Sequence, residues 1–460
     1  MLAVAGQRIH VIGLGVKGTG RACAQVLGAR GALITISDEK TPAALAQEVE
    51  KLGEVSVRLQ LGPAEAYRDL ETADLIVPSP GVPLTIAPLM RARAAGVRIV
   101  SEIELAYQLT PGPIIAITGT KGKTTTTTLI GLFLKALQYP SAVGGNIGQP
   151  LIELAAEATA DTVLVAEVSS FQLEAIESFR PHIAVFTNLY PDHLDRYANS
   201  MAAYFAAKLR VFAAQTPDDF AVINVDRPES EEVAAATAAR IVRVSPTHPV
   251  AGGVYVDDEV IVSELQGTAT PLVALAAIRL KGSHNLANIL EALAAVEALG
   301  LPVAHVASEV LSTFRGVPNR LEEVDVVDGV TFYNDSQGTT PIAVQMALQA
   351  FAPQAPVLIA GGRPKISDFA ELGRDISTSA HALVVIGEAA ELIATAVHEA
   401  NPNFPVYRAT TLPEAVRQAF TLAKPAGIVL LSPACASFDM FRNMEHRGGI
   451  FRDAVAALKG

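Results

Sequence analysis

Cysteine, charge, basic residues and long apolar runs are all scarce in this 460-residue chain. Its two cysteines, Cys23 and Cys435, are far apart and lack metal-ligand spacing, which excludes a disulfide framework and a cysteine metal site and predicts two reduced core residues. Charged residues make up 18% against 50% hydrophobic, a balance that excludes extended disorder. The 35 Lys+Arg against 47 Asp+Glu give a net charge of −12, which argues against nucleic acid or an anionic membrane surface as partner. A polyanionic ligand would need a local basic site. The mean hydropathy of +0.33 comes from many short runs, none near the ~18 apolar residues of a membrane span. The opening Met1-Leu-Ala-Val-Ala-Gly-Gln-Arg8 places its basic residue after apolar ones, the reverse of a secretory signal, so a cytoplasmic protein is expected. Repeats and low-complexity tracts are lacking as well.

What the chain does contain is a repeated alternation of four-to-six-residue apolar runs with Ala-rich segments of helical period, the pattern of βαβ units in an α/β fold. It occurs in three sets. The first predicts strands at 8–12, 32–37, 74–77 and 97–100, the second at 114–117, 162–168 and 183–187, and the third at 330–333, 356–360, 382–386 and 427–431. Pro111-Gly-Pro113 and Phe314-Arg-Gly-Val-Pro318 punctuate the sets and mark linkers. Three domains follow: a Rossmann-like N-terminal domain (1–103), a central P-loop ATPase-like domain with a mostly parallel sheet (104–316), and a C-terminal Rossmann-like α/β domain (317–460). Residues 241–280 turn irregular and strand-like and read as an antiparallel addition to the central domain.

The strongest local signal is Ile114-Ile-Ala-Ile-Thr-Gly-Thr-Lys-Gly-Lys-Thr-Thr125, a buried strand, a glycine loop and a helix start. In such a loop, here Gly119, Thr120, Lys121, Gly122, Lys123, Thr124 and Thr125, backbone N–H groups cradle a triphosphate, Lys123 neutralises β/γ-phosphates and Thr124 ligates Mg²⁺. ATP is the natural ligand, although Ile117 stands where the standard pattern has its first glycine; an ordinary glycine-rich strand–helix turn is the structural alternative. A second loop, Gly13-Leu-Gly15-Val-Lys-Gly18-Thr-Gly20, follows the first strand, with Asp38 at the end of the next; it suits a dinucleotide or any diphosphate at a helix N-terminus. Glu167 closes an apolar strand where parallel sheets present ligands, and can hold Mg²⁺. His193 lies just past another strand, beside Asp192. Lys208 falls with Tyr204 and Phe212 at i, i+4 and i+8 of a helical segment, within the apolar stripe. Its stem can snorkel to the rim. Burial would instead leave a neutral amine, able to act as a base or to be carbamylated by CO₂ into a metal-binding carboxylate.

Together these pieces resemble the Mur ligases, ATP-dependent amide-forming enzymes of peptidoglycan precursor synthesis. The resemblance runs through the whole chain: the Gly13–Gly20 loop, Ser79-Pro-Gly-Val82, the Gly119–Thr125 loop, Gly144-Gly-Asn-Ile-Gly148, Glu167-Val-Ser-Ser-Phe-Gln-Leu-Glu174, Asp192-His-Leu-Asp195, Ala206-Ala-Lys-Leu-Arg210, Ser283-His-Asn-Leu-Ala-Asn288, Asn334-Asp-Ser336 and Leu431-Ser-Pro-Ala-Cys-Ala-Ser-Phe-Asp439. The last of these, with Ser79-Pro-Gly81, is most similar to the D-glutamate-adding branch. The resemblance implies that Gly15, Val16, Lys17, Asp38, Ser79, Pro80 and Gly81 hold the UDP part of UDP-N-acetylmuramoyl-L-alanine, and that Asn146 and His193 contact its muramoyl portion. It implies that Lys123 and Thr124 hold ATP and Mg²⁺, that Glu167 and His193 hold metal, and that a carbamate on Lys208 binds a second Mg²⁺. Asn285, Asn288, Arg320 and Asp335 match nucleotide contacts; Thr339, Lys365, Ser437 and Phe438 match positions that receive D-glutamate. The implied reaction activates the L-alanyl carboxylate as an acyl phosphate, which the amine of D-glutamate attacks, in a monomer whose third domain closes near residues 314–320.

The chain departs from the family pattern at Lys121, where Asn is usual, at Gln337, where Lys is common, and at Arg363, where some relatives have an acidic residue. Arg363 is a candidate to restore the charge missing at Gln337. Asn285 and Asn288 can equally cap a helix beginning near Leu286, and ordinary loop packing is the alternative for Thr339, Ser437 and Phe438. Other readings are a ligase with another acceptor, such as another Mur ligase or a folylpolyglutamate synthase, an NAD-dependent oxidoreductase using the first loop, and a non-catalytic UDP-sugar-binding regulator.

Overall fold

A computed structural model describes residues 3–14, 18–280, 282–365 and 368–459. Strands β1 (Arg8–Ile12), β2 (Leu33–Asp38), β3 (Val57–Leu61), β4 (Leu75–Pro78) and β5 (Arg98–Ile99) form a parallel sheet in the order β3-β2-β1-β4-β5. Strand order reverses at β1, so the loops that follow β1 and β4 open side by side, at the point where such sheets bind ligands.

The second sheet contains β6 (Ile114–Thr118), β7 (Ser141–Gly145), β8 (Val163–Glu167), β9 (Ile183–Phe186), β10 (Phe220–Asn224), β11 (Arg240–Ser245), β12 (Val254–Asp257), β13 (Val260–Ser263) and β14 (Thr270–Ala274). Its order is β14-β13-β12-β11-β10-β9-β6-β8-β7. β6, β8 and β9 are buried along their whole length, as strands covered on both faces must be. The stretch read as an antiparallel addition is antiparallel only in its second half: β11 and β12 continue the parallel pairing, and β13 and β14 fold back as a meander. The tight turn at Asp258-Glu259, both at positive φ, forces that reversal.

The third sheet contains β15 (Glu322–Val327), β16 (Val330–Asn334), β17 (Val357–Gly361), β18 (Ala382–Ile386), β19 (Val406–Arg408) and β20 (Ile428–Leu431), in the order β15-β16-β20-β17-β18-β19. All pairs are parallel except β15–β16, an edge hairpin.

The chain divides into two compact units: residues up to 278 with 284–312, and 279–283 with 313 onward. In the first unit one apolar cluster runs through both sheets, from Ile9, Val11 and Ile36 by way of Ile103 and Ala106 to Leu151, Leu164, Ala166 and Ala184. In the second, separate clusters line the two faces of the third sheet.

Candidate active site

The register of the second sheet assembles the chemistry. Ile117 of β6 pairs with Glu167 of β8, and Thr118 with Phe186 of β9, so the loops after these three neighbouring strands leave the sheet together. The Gly119–Gly122 turn follows β6, and helix Lys123–Ala136 begins directly after it. Gly119 (φ 136) and Gly122 (φ 84) take conformations that other residues rarely adopt, and a Cβ would lie 2.1 Å from Thr187 Oγ1 at the first and 2.2 Å from Asn288 Oδ1 at the second. The helix start presents amide N–H groups that have no intrahelical acceptor. Lys123 folds over the loop and donates from Nζ to the carbonyls of Gly119 (3.0 Å) and Thr120 (2.9 Å). Asn188, past β9, braces the loop: its Oδ1 accepts from the Lys121 amide and its Nδ2 donates to the Lys121 carbonyl.

Glu167 is 2% exposed. Its Oε2 accepts from the Thr124 hydroxyl at 2.7 Å and its Oε1 from Asn146 Nδ2 at 2.7 Å. Thr124, Asn146 and Glu167 therefore converge at the mouth of the glycine loop. Lys208 is 1% exposed, so its stem does not snorkel. Its helix ends at Leu209 rather than continuing in α-form to Phe212. Nζ donates to the Gly119 carbonyl at 2.6 Å and sits 4.6 Å from the centre of the Tyr204 ring. Burial, reinforced by the positive charge of Lys123, lowers its pKa to about 6. At neutral pH this is an uncharged amine.

His193 stands apart from that convergence. It lies on the loop after β9 with φ 51, its side chain is 57% exposed, and its neighbours are Asp192 (3.7 Å) and the Phe171 ring (5.1 Å between centroids). Among the described residues no three His, Cys, Asp or Glu side chains come together as a ready-made metal site. The donors present are the Thr124 hydroxyl and the Glu167 carboxylate, hard oxygens beside a phosphate-type loop. They fit Mg²⁺, which takes one or two carboxylates and completes its shell with phosphate oxygens and water. Lys121 carries its extra charge next to Asp192, with Nζ 3.1 Å from Oδ2. Asn285 and Asn288 do not cap their helix, which begins at Ser283; both are buried within it, Asn288 against Gly122.

In the first sheet Asp38 Oδ2 accepts from the Leu14 amide at 3.0 Å, and Ser79 Oγ donates to the Gly13 carbonyl at 2.8 Å, tying both loops of the switch point together. Gly20 has room for nothing larger: a Cβ would stand 2.0 Å from the Gly13 carbonyl oxygen. Pro80 and Gly81 continue the turn from Ser79. Gly15, Val16 and Lys17 lie outside the described residues.

The second unit gathers its own set. Asn334 pairs with Leu431, and Leu431 with Ile359, so the loops after β16, β20 and β17 are adjacent. Asp335 accepts from Ser432 Oγ at 2.7 Å, and burial raises its carboxyl to about 7. Arg320 donates to Gln337 Oε1 at 3.0 Å, and Lys365 to Thr339 Oγ1 at 2.9 Å. Ser437 is buried and Phe438 is 63% exposed. Arg363 is ion-paired with Glu388 at 3.1 Å, so its charge is already matched locally rather than offered in place of the lysine missing at Gln337.

Several residues that the motifs did not single out matter here. Arg447 is fully buried and donates to Ser336 Oγ and to the carbonyls of Ser336 and Cys435, joining the loops after β16 and β20. Glu102 Oε1 accepts from the Ile152 amide at 2.6 Å, capping helix Leu151–Glu157 just beyond the Asn146 loop. Glu104 Oε2 accepts from three successive amides, Glu177 to Phe179. For Glu102 and Glu104 a charge inside an apolar segment is the available signal, and it does not name a partner.

Three family patterns match successive parts of the chain: "Mur ligase MurD-like, N-terminal domain" at residues 7–101, "Mur ligase middle domain" at 117–296, and "Mur ligase, glutamate ligase domain" at 319–435. The chain is 43% identical over 452 residues to the UDP-N-acetylmuramoylalanine–D-glutamate ligase of Pelotomaculum thermopropionicum, covering 98% of each chain. It is 41% identical to the ligase of the same name from Acidobacterium capsulatum, covering 99% of this chain and 97% of the relative. Among solved structures, UDP-N-acetylmuramate-alanine ligase from Thermotoga maritima superimposes with a TM-score of 0.60 at 20% identity over 98% of this chain and 99% of that one, a likeness of fold. The chain belongs to the Mur ligase family, whose members are ATP-dependent ligases that form peptide C–N bonds.

Proposed function

We propose that this protein joins D-glutamate to UDP-N-acetylmuramoyl-L-alanine at the expense of ATP, giving UDP-N-acetylmuramoyl-L-alanyl-D-glutamate, ADP and phosphate. The full-length likeness to ligases of that name carries the reading. In it, residues 1–103 take the UDP portion through the Gly13 loop with Gly15, Val16 and Lys17, through Asp38, and through Ser79, Pro80 and Gly81. Residues 104–316 take ATP, and residues 317–460 take D-glutamate through Thr339, Lys365, Ser437 and Phe438. Asn285, Asn288, Arg320 and Asp335 contribute to nucleotide binding. The protein acts as a cytoplasmic monomer; among the described residues no helix is long and apolar enough to cross a membrane.

A carboxylate does not acylate an amine at useful rates, so the L-alanyl carboxylate must first become an acyl phosphate. That transfer is mainly positioning and charge stabilisation. The amides of residues 122–125, at the start of the helix, orient the triphosphate, and Lys123, already over the loop, moves its ammonium from two carbonyls to phosphate oxygen. Thr124 and Glu167 would supply oxygen donors for Mg²⁺, with His193 as a further metal ligand, and a carbamate on Lys208 would bind a second ion. Bound Mg²⁺ supplies neutralisation of the charge that develops on the phosphoryl group. Asn146, which donates to Glu167, orients that carboxylate. A neutral Lys208 amine is the form that reacts with CO₂, and its carbamate keeps one N–H for the Gly119 carbonyl. The D-glutamate amine then attacks the acyl carbon and phosphate leaves.

The test is phosphate release from ATP with Mg²⁺ and UDP-N-acetylmuramoyl-L-alanine, with D-glutamate, L-glutamate or L-lysine supplied in parallel. Turnover with D-glutamate alone is expected, whereas turnover with L-lysine, or none with any amino acid, would refute the assignment. Lys208→Ala is expected to lose most activity without rescue by bicarbonate; wild-type-like turnover would remove the carbamate from the mechanism.

A further inference from the structure

We infer that Arg196 is a positioning residue that couples the loop proposed to hold UDP to the metal end of the ATP site and to His193; this rests on the function proposed above. The guanidinium, whose side chain is 12% exposed, grips the Glu174 carboxylate with two groups, Nε at 3.1 Å from Oε1 and Nη2 at 2.7 Å from Oε2. Nη2 also donates to the Val82 carbonyl at 3.1 Å, and Nη1 lies 3.5 Å from that of Gly81. Those carbonyls belong to the turn whose Ser79 is tied to the Gly13 loop. A planar fork suits this task, because a lysine ammonium cannot span a carboxylate and two carbonyls at once.

The other side of the arrangement leads to the chemistry. Glu174 ends the segment that Glu167 begins, and a capping box between Ser169 and Gln172 stiffens the turn between them. The Arg196 guanidinium stacks 4.6 Å from the centre of the Phe171 ring, whose centroid is also 5.1 Å from that of the His193 imidazole. The Arg196 amide donates to the His193 carbonyl at 3.1 Å. A shift of the Ser79–Val82 turn on ligand binding is thus passed to one short segment with Glu167 at its start, and to the backbone and ring neighbours of His193.

The test compares Arg196→Met, Arg196→Lys and Glu174→Gln with the wild type. Arg196→Met is expected to raise KM for UDP-N-acetylmuramoyl-L-alanine by about tenfold or more, the scale of a lost charge-assisted pair, while KM for ATP stays within about twofold. Arg196→Lys should recover part of that loss, and Glu174→Gln should shift the same KM in the same direction, which keeps the idea testable if Arg196→Met folds poorly. Hydrogen exchange provides the readout that a purely structural role would not move. Saturating UDP-N-acetylmuramoyl-L-alanine should protect amides 171–174 and 193–197 in the wild type, and protection should be lost in Arg196→Met while amides 79–82 remain protected. Equal KM changes for all substrates, an unchanged KM for the UDP substrate, or retained protection at 171–174 and 193–197 would overturn the inference. Failure of the wild type to turn over this substrate would instead reject the proposed function beneath it.

Discussion

Glu102 shows how one residue ties stability to pH. Its carboxyl is buried and raised from 4.5 to about 7, chiefly by burial, with the Ile152 and Leu151 amides acting against that rise. Between those values the folded state keeps a proton that the unfolded chain has released, so stability falls as pH rises from about 4.5 to about 7 and then levels off. Glu102→Gln removes this titration while keeping an acceptor for the amides. The stability of the variant relative to wild type should grow by on the order of 2 kcal/mol between about pH 5 and pH 8 in urea unfolding. A constant difference would show that the group titrates normally. At this scale sequence is a good guide to which residues are unusual and a poor guide to their partners. Lys208 is recognisable as a lysine inside an apolar stripe; that its amine meets the Gly119 carbonyl, 89 residues away, depends on how the helix lies across the sheet. Arg447 carried no such mark.

Loops and strand ends are the elements that were easiest to read. The glycine loop and strand Val163–Glu167 stand where periodicity and turn residues put them, because buried parallel strands and the glycine turns that follow them have distinct local patterns. The helix starts at Ser283, earlier than the cap preference of Asn285 and Asn288 predicts, because tertiary burial overrides that preference. Contact with Asn288 also makes Gly122 a test of the loop. In Gly122→Ala the Cβ would lie 2.2 Å from Asn288 Oδ1 on a backbone at φ 84. Together with a left-handed cost of roughly 1–2 kcal/mol, this should weaken ATP binding about tenfold or more while leaving the affinity for UDP-N-acetylmuramoyl-L-alanine unchanged. Titration calorimetry with each ligand alone checks both halves, and unaltered ATP affinity would mean that the loop does not hold the nucleotide in this conformation.

On the scale of the whole molecule, three sheets reside in two compact units, because one apolar cluster runs through the first two sheets. Arg447→Met leaves the carbonyls of Ser336 and Cys435 without their buried donor, at a cost of about 3 kcal/mol. Scanning calorimetry should show a lower midpoint for the unit that contains residue 447 and an unchanged one for the other; an equal shift of both would mean that the units unfold as one. Local pattern was sufficient to specify the α/β class, the strand that ends at Glu167, the glycine loop and the family, since each depends on side-chain period and on residues close in sequence. The convergence of Thr124, Asn146 and Glu167, the buried state of Lys208, the separation of His193 from them and the pairing of Arg363 with Glu388 were decided by the tertiary structure. Strand order and register bring together residues tens of positions apart, and burial, which sets their charge, exists only once those neighbours are in place.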